Sequence, residues 1–236
     1  MKTRKFQAAI CFGLLCCAGF NVPVHAQVYT GIVGYINLTL YPGNNLIANQ
    51  LGNSDNSLTA IFPSFIPEGT TFTKWDAATG QYLPLSTYDT SSGWSINYEL
   101  NYGEGGLLHS PSPFTNTFTG TVWPGFSNPD GPYNPPLISS YGILLMSCYV
   151  PLSGATFYDV VGRDPQNGES VTTLNPSSKI SSTTIYEGGS WNNGDPLLNV
   201  GQSAFFDLEP VPEPEVCNLL GAGVLLLASN RRMRKR

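Results

Sequence analysis

Positive charge is scarce in the interior of this 236-residue chain. Of 11 Lys and Arg, eight lie at the two ends, leaving Lys74, Arg163 and Lys179 between residues 27 and 230. All 16 Asp and Glu fall between Asp55 and Glu215, so the same interval carries three cations against sixteen acids, a net of −13. A body of that sign repels phosphate backbones, which excludes nucleic acid as a partner. Histidine is nearly missing too, with His25 and His109 alone. A Ser-His-Asp triad, a zinc centre and a His-based acid/base pair each lack parts, and no cofactor is expected. Phosphate-binding glycine loops and dinucleotide fingerprints are also absent. Five cysteines are present, but Cys11, Cys16 and Cys17 sit in the first 26 residues and Cys217 near the end, so the body keeps Cys148. One thiol makes no disulfide framework, and Cys148 in the apolar run Leu144–Val150 is expected as a buried small side chain. Finally, no apolar run reaches the roughly 20 residues of a membrane-spanning helix.

What is present begins with two unlike ends. Lys2 to Lys5 form a basic start, Ala8 to Phe20 an apolar stretch, and Val24-His25-Ala26 a small-residue site, the pattern of a secretory signal peptide cleaved between Ala26 and Gln27. Leu15 stands where a small residue should precede a lipidated Cys16, which disfavours a lipoprotein. At the other end come Val211, Pro212, Glu213 and Pro214. An apolar stretch follows with Val216, Leu219, Leu220, Val224, Leu225, Leu226 and Leu227, and then Arg231, Arg232, Arg234, Lys235 and Arg236. The prolines keep the peptide extended, as suits protease recognition. The apolar residues make a short helix that spans a bilayer if its ends snorkel, and the terminal cations stay cytoplasmic.

These three parts, in this order over residues 211–236, closely resemble the PEP-CTERM sorting signal. The resemblance implies an exported protein, held transiently in the inner membrane by its tail and presented to an exosortase-type membrane protease. Release, attachment to polysaccharide and retention at the cell surface all remain open as destinations.

The body reads as β. Gly and Pro together make 44 residues, and apolar residues alternate with polar ones at Ile36, Leu38 and Leu40 and again at Phe114, Phe118 and Val122. Turn dipeptides recur at Glu68-Gly69, Thr79-Gly80, Ser92-Gly93, Asn167-Gly168 and Asn193-Gly194. The chain also resembles itself. Leu46–Asn49 aligns with Leu145–Cys148 at an offset of 99, Tyr88 with Tyr186 and Asn101–Glu104 with Asn199–Gln202 at 98, and Trp94 with Trp191 at 97. The expectation is an all-β fold of two tandem related modules, sandwich-like, at 27–126 and 137–210. A Pro/Asn-rich linker at 127–136 joins them, between the signal peptide (1–26) and the sorting tail (211–236). The landmarks resemble a β repeat of exported bacterial proteins with C-terminal sorting tails, mostly of unknown activity.

Candidate ligand residues are aromatic. The chain holds 28 Phe, Trp and Tyr. Trp75, Trp94, Trp123 and Trp191, with Tyr88, Tyr102, Tyr133 and Tyr186, are candidates for stacking on flat sugar faces. Repeat equivalence assigns Trp94 and Trp191 to the core, and Trp123, outside the repeat landmarks, becomes the surface candidate. Acid-rich loops at 53–56, 128–131 and 164–169 match no defined calcium spacing, so Asx turns account for them and no metal is expected. The leading expectation is a non-enzymatic surface or matrix protein that associates with exopolysaccharide. The alternative is a polysaccharide hydrolase or lyase using two carboxylates among Glu68, Glu99, Glu104, Asp159 and Glu187, Glu104 first.

Overall fold

A computed structural model describes residues 33–62, 65–123 and 133–210. The cleavage site Ala26–Gln27, the tail from Val211 to Arg236 and most of the expected linker lie outside the described residues. Within them the chain is mostly β, in antiparallel sheets.

In chain order the strands are β1 (Val33–Leu40), β2 (Gly43–Ile47), β3 (Thr71–Thr73), β4 (Trp75–Asp76), β5 (Gln81–Tyr82), β6 (Ser86–Asp89) and β7 (Gly93–Trp94). There follow β8 (Gly106–Ser110), β9 (Phe114–Thr121), β10 (Gly142–Met146), β11 (Ser170–Leu174), β12 (Ser181–Glu187), β13 (Ser190–Trp191) and β14 (Ala204–Leu208). Two short helices, α1 (Leu58–Ile61) and α2 (Phe157–Val161), interrupt them at equivalent points.

The first sheet has the order β2-β8-β3-β6-β7 and the second β10-β14-β11-β12-β13. Shifting each strand of the first by 97 to 99 residues gives its counterpart in the second, without exception.

Each sheet buries one face. Under the first, α1 and a ribbon of β1 paired with β9 supply Leu58, Ile61, Ile36, Leu40 and Phe118 against Ile47, Phe72 and Leu108. Period-two alternation on β1 and β9 turns these residues inward and leaves Thr115, Thr117 and Thr119 outside. Asn116, also turned inward, is tied down by donating to the Ile61 carbonyl at 2.9 Å. Under the second sheet α2 places Phe157, Val160 and Val161 against Val171, Phe206 and Cys148. Its start is fixed by a capping box, in which Thr156 and Asp159 satisfy each other's backbone N–H, and its end by Gly162 at φ 81°. Cys148 is fully buried, as its apolar surroundings predict.

The two sheets interlock by a reciprocal exchange. Beyond Ile47, strand β2 leaves β8, and Ala48 N–H donates to the Gly201 carbonyl at 2.9 Å while Ser203 N–H donates to Leu46. Beyond Met146, strand β10 leaves β14, and Ser147 N–H donates to the Gly103 carbonyl at 3.0 Å while Gly105 N–H donates to Leu145 at 3.1 Å. The two pairs are equivalent under the internal offset, as across a two-fold axis. Residues 105 and 203 meet there. A Cβ on Gly105 would lie 2.7 Å from that of Ser203, so a side chain fits on one side of the joint and not on both.

The segments that make this exchange are those singled out by the repeat. Asn101-Tyr102-Gly103-Glu104 and Asn199-Val200-Gly201-Gln202 are both tight turns, closed by N–H donation from the fourth residue to the first carbonyl at 3.1 Å. Gly103 and Gly201 sit at φ 76° and 77°, the position a type II turn reserves for glycine. The Glu104 carboxylate accepts the Asn101 N–H at 2.8 Å, and the Gln202 side chain accepts that of Asn199 at 3.1 Å.

Candidate functional site

The outer face of the second sheet is read from its register. Ile143, Asp207 and Ser170 lie side by side in one row, and Leu145, Phe205 and Thr172 in the next. Thr183 extends the second row, its Oγ1 2.8 Å from that of Thr172.

Over this face leans the β4–β5 hairpin. Asp76 closes its turn by accepting from Ala78 N–H at 3.1 Å and from the Thr79 hydroxyl at 2.8 Å, and Gly80, at φ 65°, donates its N–H back to the Asp76 carbonyl. The tight turn sets Trp75 opposite Tyr82. Their rings stand 5.1 Å apart at 82°, and Trp75 meets Phe205 at 5.5 Å and 85°. The Trp75 indole N–H donates to the Ile143 carbonyl at 2.7 Å, occupying an acceptor on the free edge of β10.

Together these elements form an open groove of about 320 Å³ lined by Trp75, Ile143, Ser170, Thr172, Phe205 and Asp207. Tyr82 is 45% exposed at its rim, with partial burial pushing its phenol above the usual value. Asp207 is exposed and accepts no side-chain hydrogen bond among the described residues. The arrangement offers three aromatic rings, two hydroxyls and a carboxylate on one side of a rigid sheet. Such a surface can stack an apolar sugar face while taking hydrogen bonds from its hydroxyls.

The body's three cations are engaged elsewhere. Lys74 pairs with Glu104 at 2.9 Å. Arg163 forms a two-point pair with the fully buried Glu169, one contact at 2.9 Å. Lys179 donates to the Asn44 carbonyl at 2.8 Å and lies over the Tyr41 ring.

The other aromatic candidates are placed differently. Trp94 is buried against Phe62 and Tyr88, and Trp191 is half-buried against Phe157 and Tyr186. Trp123 is half-buried, packed on the second core with its ring 5.3 Å from that of Tyr149, and does not line the groove. Tyr102 fills the space over Gly52 and donates to the Thr121 carbonyl at 2.7 Å. Tyr133 packs on the second core, and burial pushes its phenol well above the usual value.

Among the carboxylates weighed for hydrolysis, Glu68, Glu104 and Asp159 each accept a backbone N–H: those of Thr90, Asn101 and Thr156. Glu99 touches the Asn101 side-chain amide at 3.5 Å. In the 53–56 loop, Asp55 accepts from Ser57 N–H at 2.8 Å, a bond that holds its carboxyl below the usual range. Among the described residues no three His, Cys, Asp or Glu side chains gather as metal ligands would, and no helix is long and apolar enough to cross a membrane.

Sequence reasoning named Trp75 and missed Tyr82, Phe205 and Asp207. The signal was in the repeat comparison, because the offset of 98 sets Phe205 on Leu107 and Asp207 on His109, positions where the copies differ in chemistry. No family model, curated protein or solved structure matches the chain.

Proposed function

We propose that the chain is an exported, non-enzymatic surface or extracellular-matrix protein, built of two related β modules and associated with polysaccharide. The single observation that carries the polysaccharide reading is the groove of Trp75, Tyr82 and Phe205 beside Asp207, Ser170 and Thr172. The duplication rests on the matched strand orders and the reciprocal joint between the sheets. The address rests on the two ends of the sequence: a signal peptide ending at Ala26, and a tail of Val211 to Pro214, an apolar stretch and a basic terminus for an exosortase-type protease. In this reading the tail touches the inner membrane until processing frees or attaches the body. Absence of catalysis is proposed because three of the five candidate carboxylates are committed to closing turns or a helix start.

The test is co-sedimentation of the full chain with exopolysaccharide of a producing cell, with reducing ends measured in the supernatant. Saturable binding without new reducing ends is expected, and new reducing ends would replace this reading with a hydrolase. For the address, changing Pro212, Glu213 and Pro214 together to alanine is expected to leave the tail on the membrane-bound protein; normal tail removal in that variant would refute it.

A further inference from the structure

The groove itself constrains which glycan it takes. Resting on the reading of the groove as a sugar site, we infer that its ligand is a neutral hexopyranose chain, free of carboxylate, sulfate or phosphate groups. Three observations converge on this.

The first is the chemistry of the lining. Trp75 and Phe205, with Tyr82 at the rim, give apolar surface for the C–H faces of a pyranose, and Ser170, Thr172 and Asp207 give acceptors and hydroxyl donors. Phe205 and Asp207 are two residues apart on one strand, so their side chains leave the sheet about 7 Å apart. That is wide enough for one ring stacked at Phe205 to turn its hydroxyls toward Asp207 and Ser170.

The second is the state of the cations. Arg and Lys are the side chains that proteins favour for recognising carboxylate, sulfate or phosphate groups, so a uronate or sulfated chain would be expected to meet at least one of them in the groove. Lys74, Arg163 and Lys179 are the cations of residues 27–230, and all three are engaged at other places in the fold. An acidic polymer approaching Asp207 on a body of net −13 would be repelled over about a Debye length, near 10 Å at 0.1 M salt.

The third is the number of acids. Asp207 is one carboxylate among six lining residues, and its row neighbours are Ile143 and Ser170. A polyamine sugar chain would gain from several acids in register, whereas one exposed carboxylate between hydroxyls suits donation from a pair of sugar hydroxyls.

The experiment titrates the full chain, followed by tryptophan fluorescence and calorimetry, with hexamers of α- and β-linked glucose, mannose and galactose. Oligogalacturonate, oligoguluronate and chitosan hexamers are run in parallel, at 20 and 200 mM salt. The expected result is binding of at least one neutral hexamer, changing less than twofold with salt. Trp75→Ala and Tyr82→Ala should each weaken it at least tenfold and Asp207→Asn three- to tenfold, with uronates at least a hundredfold weaker. Trp123→Ala, outside the groove, should leave the affinity unchanged; Tyr82→Ala, at the exposed rim, guards against a Trp75 variant that fails to fold. Uronate or chitosan binding that depends on Tyr82 would overturn the neutral class and leave the groove standing. Binding that survives Tyr82→Ala and Asp207→Asn, or no binding by any hexamer, would overturn the groove and the class together.

Discussion

The two sheets share a strand order and differ on their outer faces. Where the second sheet carries Ile143, Phe205 and Asp207, the first has Asn44, Leu107 and His109 at equivalent registers, with His109 Nδ1 3.1 Å from the Asn44 amide oxygen. The hairpins that reach across differ likewise, because Trp75 of the first copy corresponds to Leu174 of the second. Yet the carbonyl each hairpin claims is the same: Trp75 donates to Ile143 and Lys179 to its equivalent, Asn44. Ladder, joint and edge protection are held in common while one face alone has acquired a triad of rings. The difference teaches that the inner faces of the two sheets are constrained by shared packing, while their outer faces are free to differ in chemistry.

The largest asymmetry inside the fold is Glu169. Its fully buried carboxylate takes the Arg163 guanidinium and the N–H groups of Gln166 and Glu209, at 2.8 and 3.0 Å. The equivalent residue of the first copy is Thr70, whose hydroxyl donates to the Pro67 carbonyl at 2.7 Å. Removing one partner of a buried pair strands the other, so Glu169→Ala should cost about 3–5 kcal/mol in urea unfolding. Thr70→Ala, losing one neutral bond, should cost about 1 kcal/mol. Equal costs would mean that Arg163 finds water when Glu169 is gone.

A second break in the symmetry is a volume exchange. Gly106 lies against the ring of Phe72, where an added Cβ would come within 2.3 Å; the second copy has Ala204 and Val171 at these places. Gly106→Ala alone should destabilise by about 1–3 kcal/mol through overpacking. Combining it with Phe72→Val reproduces the pair of the other copy, and the two changes should show a favourable coupling of about 0.5–3 kcal/mol. Additive costs would show that the two cores are not interchangeable at this layer.

The joint is tested at Gln50, whose amide donates to the Cys148 carbonyl at 3.2 Å and accepts the Gly201 N–H at 2.8 Å. Its counterpart Tyr149 instead lays its ring over Gly103. Gln50→Ala leaves the buried Gly201 N–H without a partner, while the Cys148 carbonyl keeps the Ser147 hydroxyl at 3.2 Å, and should cost about 1–3 kcal/mol. Because the exchange ties the strands of both sheets together, the loss should appear in one cooperative transition for the whole body. Cys148 is the built-in probe. Burial pushes its thiol up, so alkylation at neutral pH should wait for unfolding and follow the same midpoint. Two separated transitions would show that the joint does not couple the copies.

Much of this was legible in the sequence, and the reason is local. Alternation placed Ile36, Leu40 and Phe118 inward because a strand buries every second residue. The Asn-x-Gly-Glu and Asn-x-Gly-Gln segments stood out because a type II turn needs glycine at one place and a capping side chain at another. Trp94 was assigned to the core by its repeat partner and is buried; Trp191, assigned the same way, is half-buried. What stayed illegible depends on register between distant strands. Nothing near Phe205 says that Trp75, 130 positions earlier, will lie 5.5 Å away. Trp123, chosen for standing apart from the repeat, packs on Tyr149 because β9 runs on from the first core into the second, where Val122 touches both.

The smallest expected effect concerns the two edge contacts, and it separates stability from binding. Trp75→Phe keeps a ring in the groove and removes the indole donor to Ile143, which should cost about 0.5–1.5 kcal/mol. Lys179→Ala removes a bond to the equivalent carbonyl of Asn44, yet burial already pushes the Lys179 ammonium below its ordinary pKa, a sign that its desolvation offsets part of that bond. The ammonium also reaches the Tyr41 carbonyl and the Asn45 amide oxygen, at 3.4 and 3.3 Å, but contacts of a solvent-accessible charge are worth little, so its loss should cost about 0–1 kcal/mol. The two variants should part in the glycan titration: Trp75→Phe weakens binding by severalfold, and Lys179→Ala, on the polar face of the other sheet, leaves it unchanged. A Lys179 variant that bound glycan less well would place a ligand surface on both copies and remove the asymmetry between the outer faces.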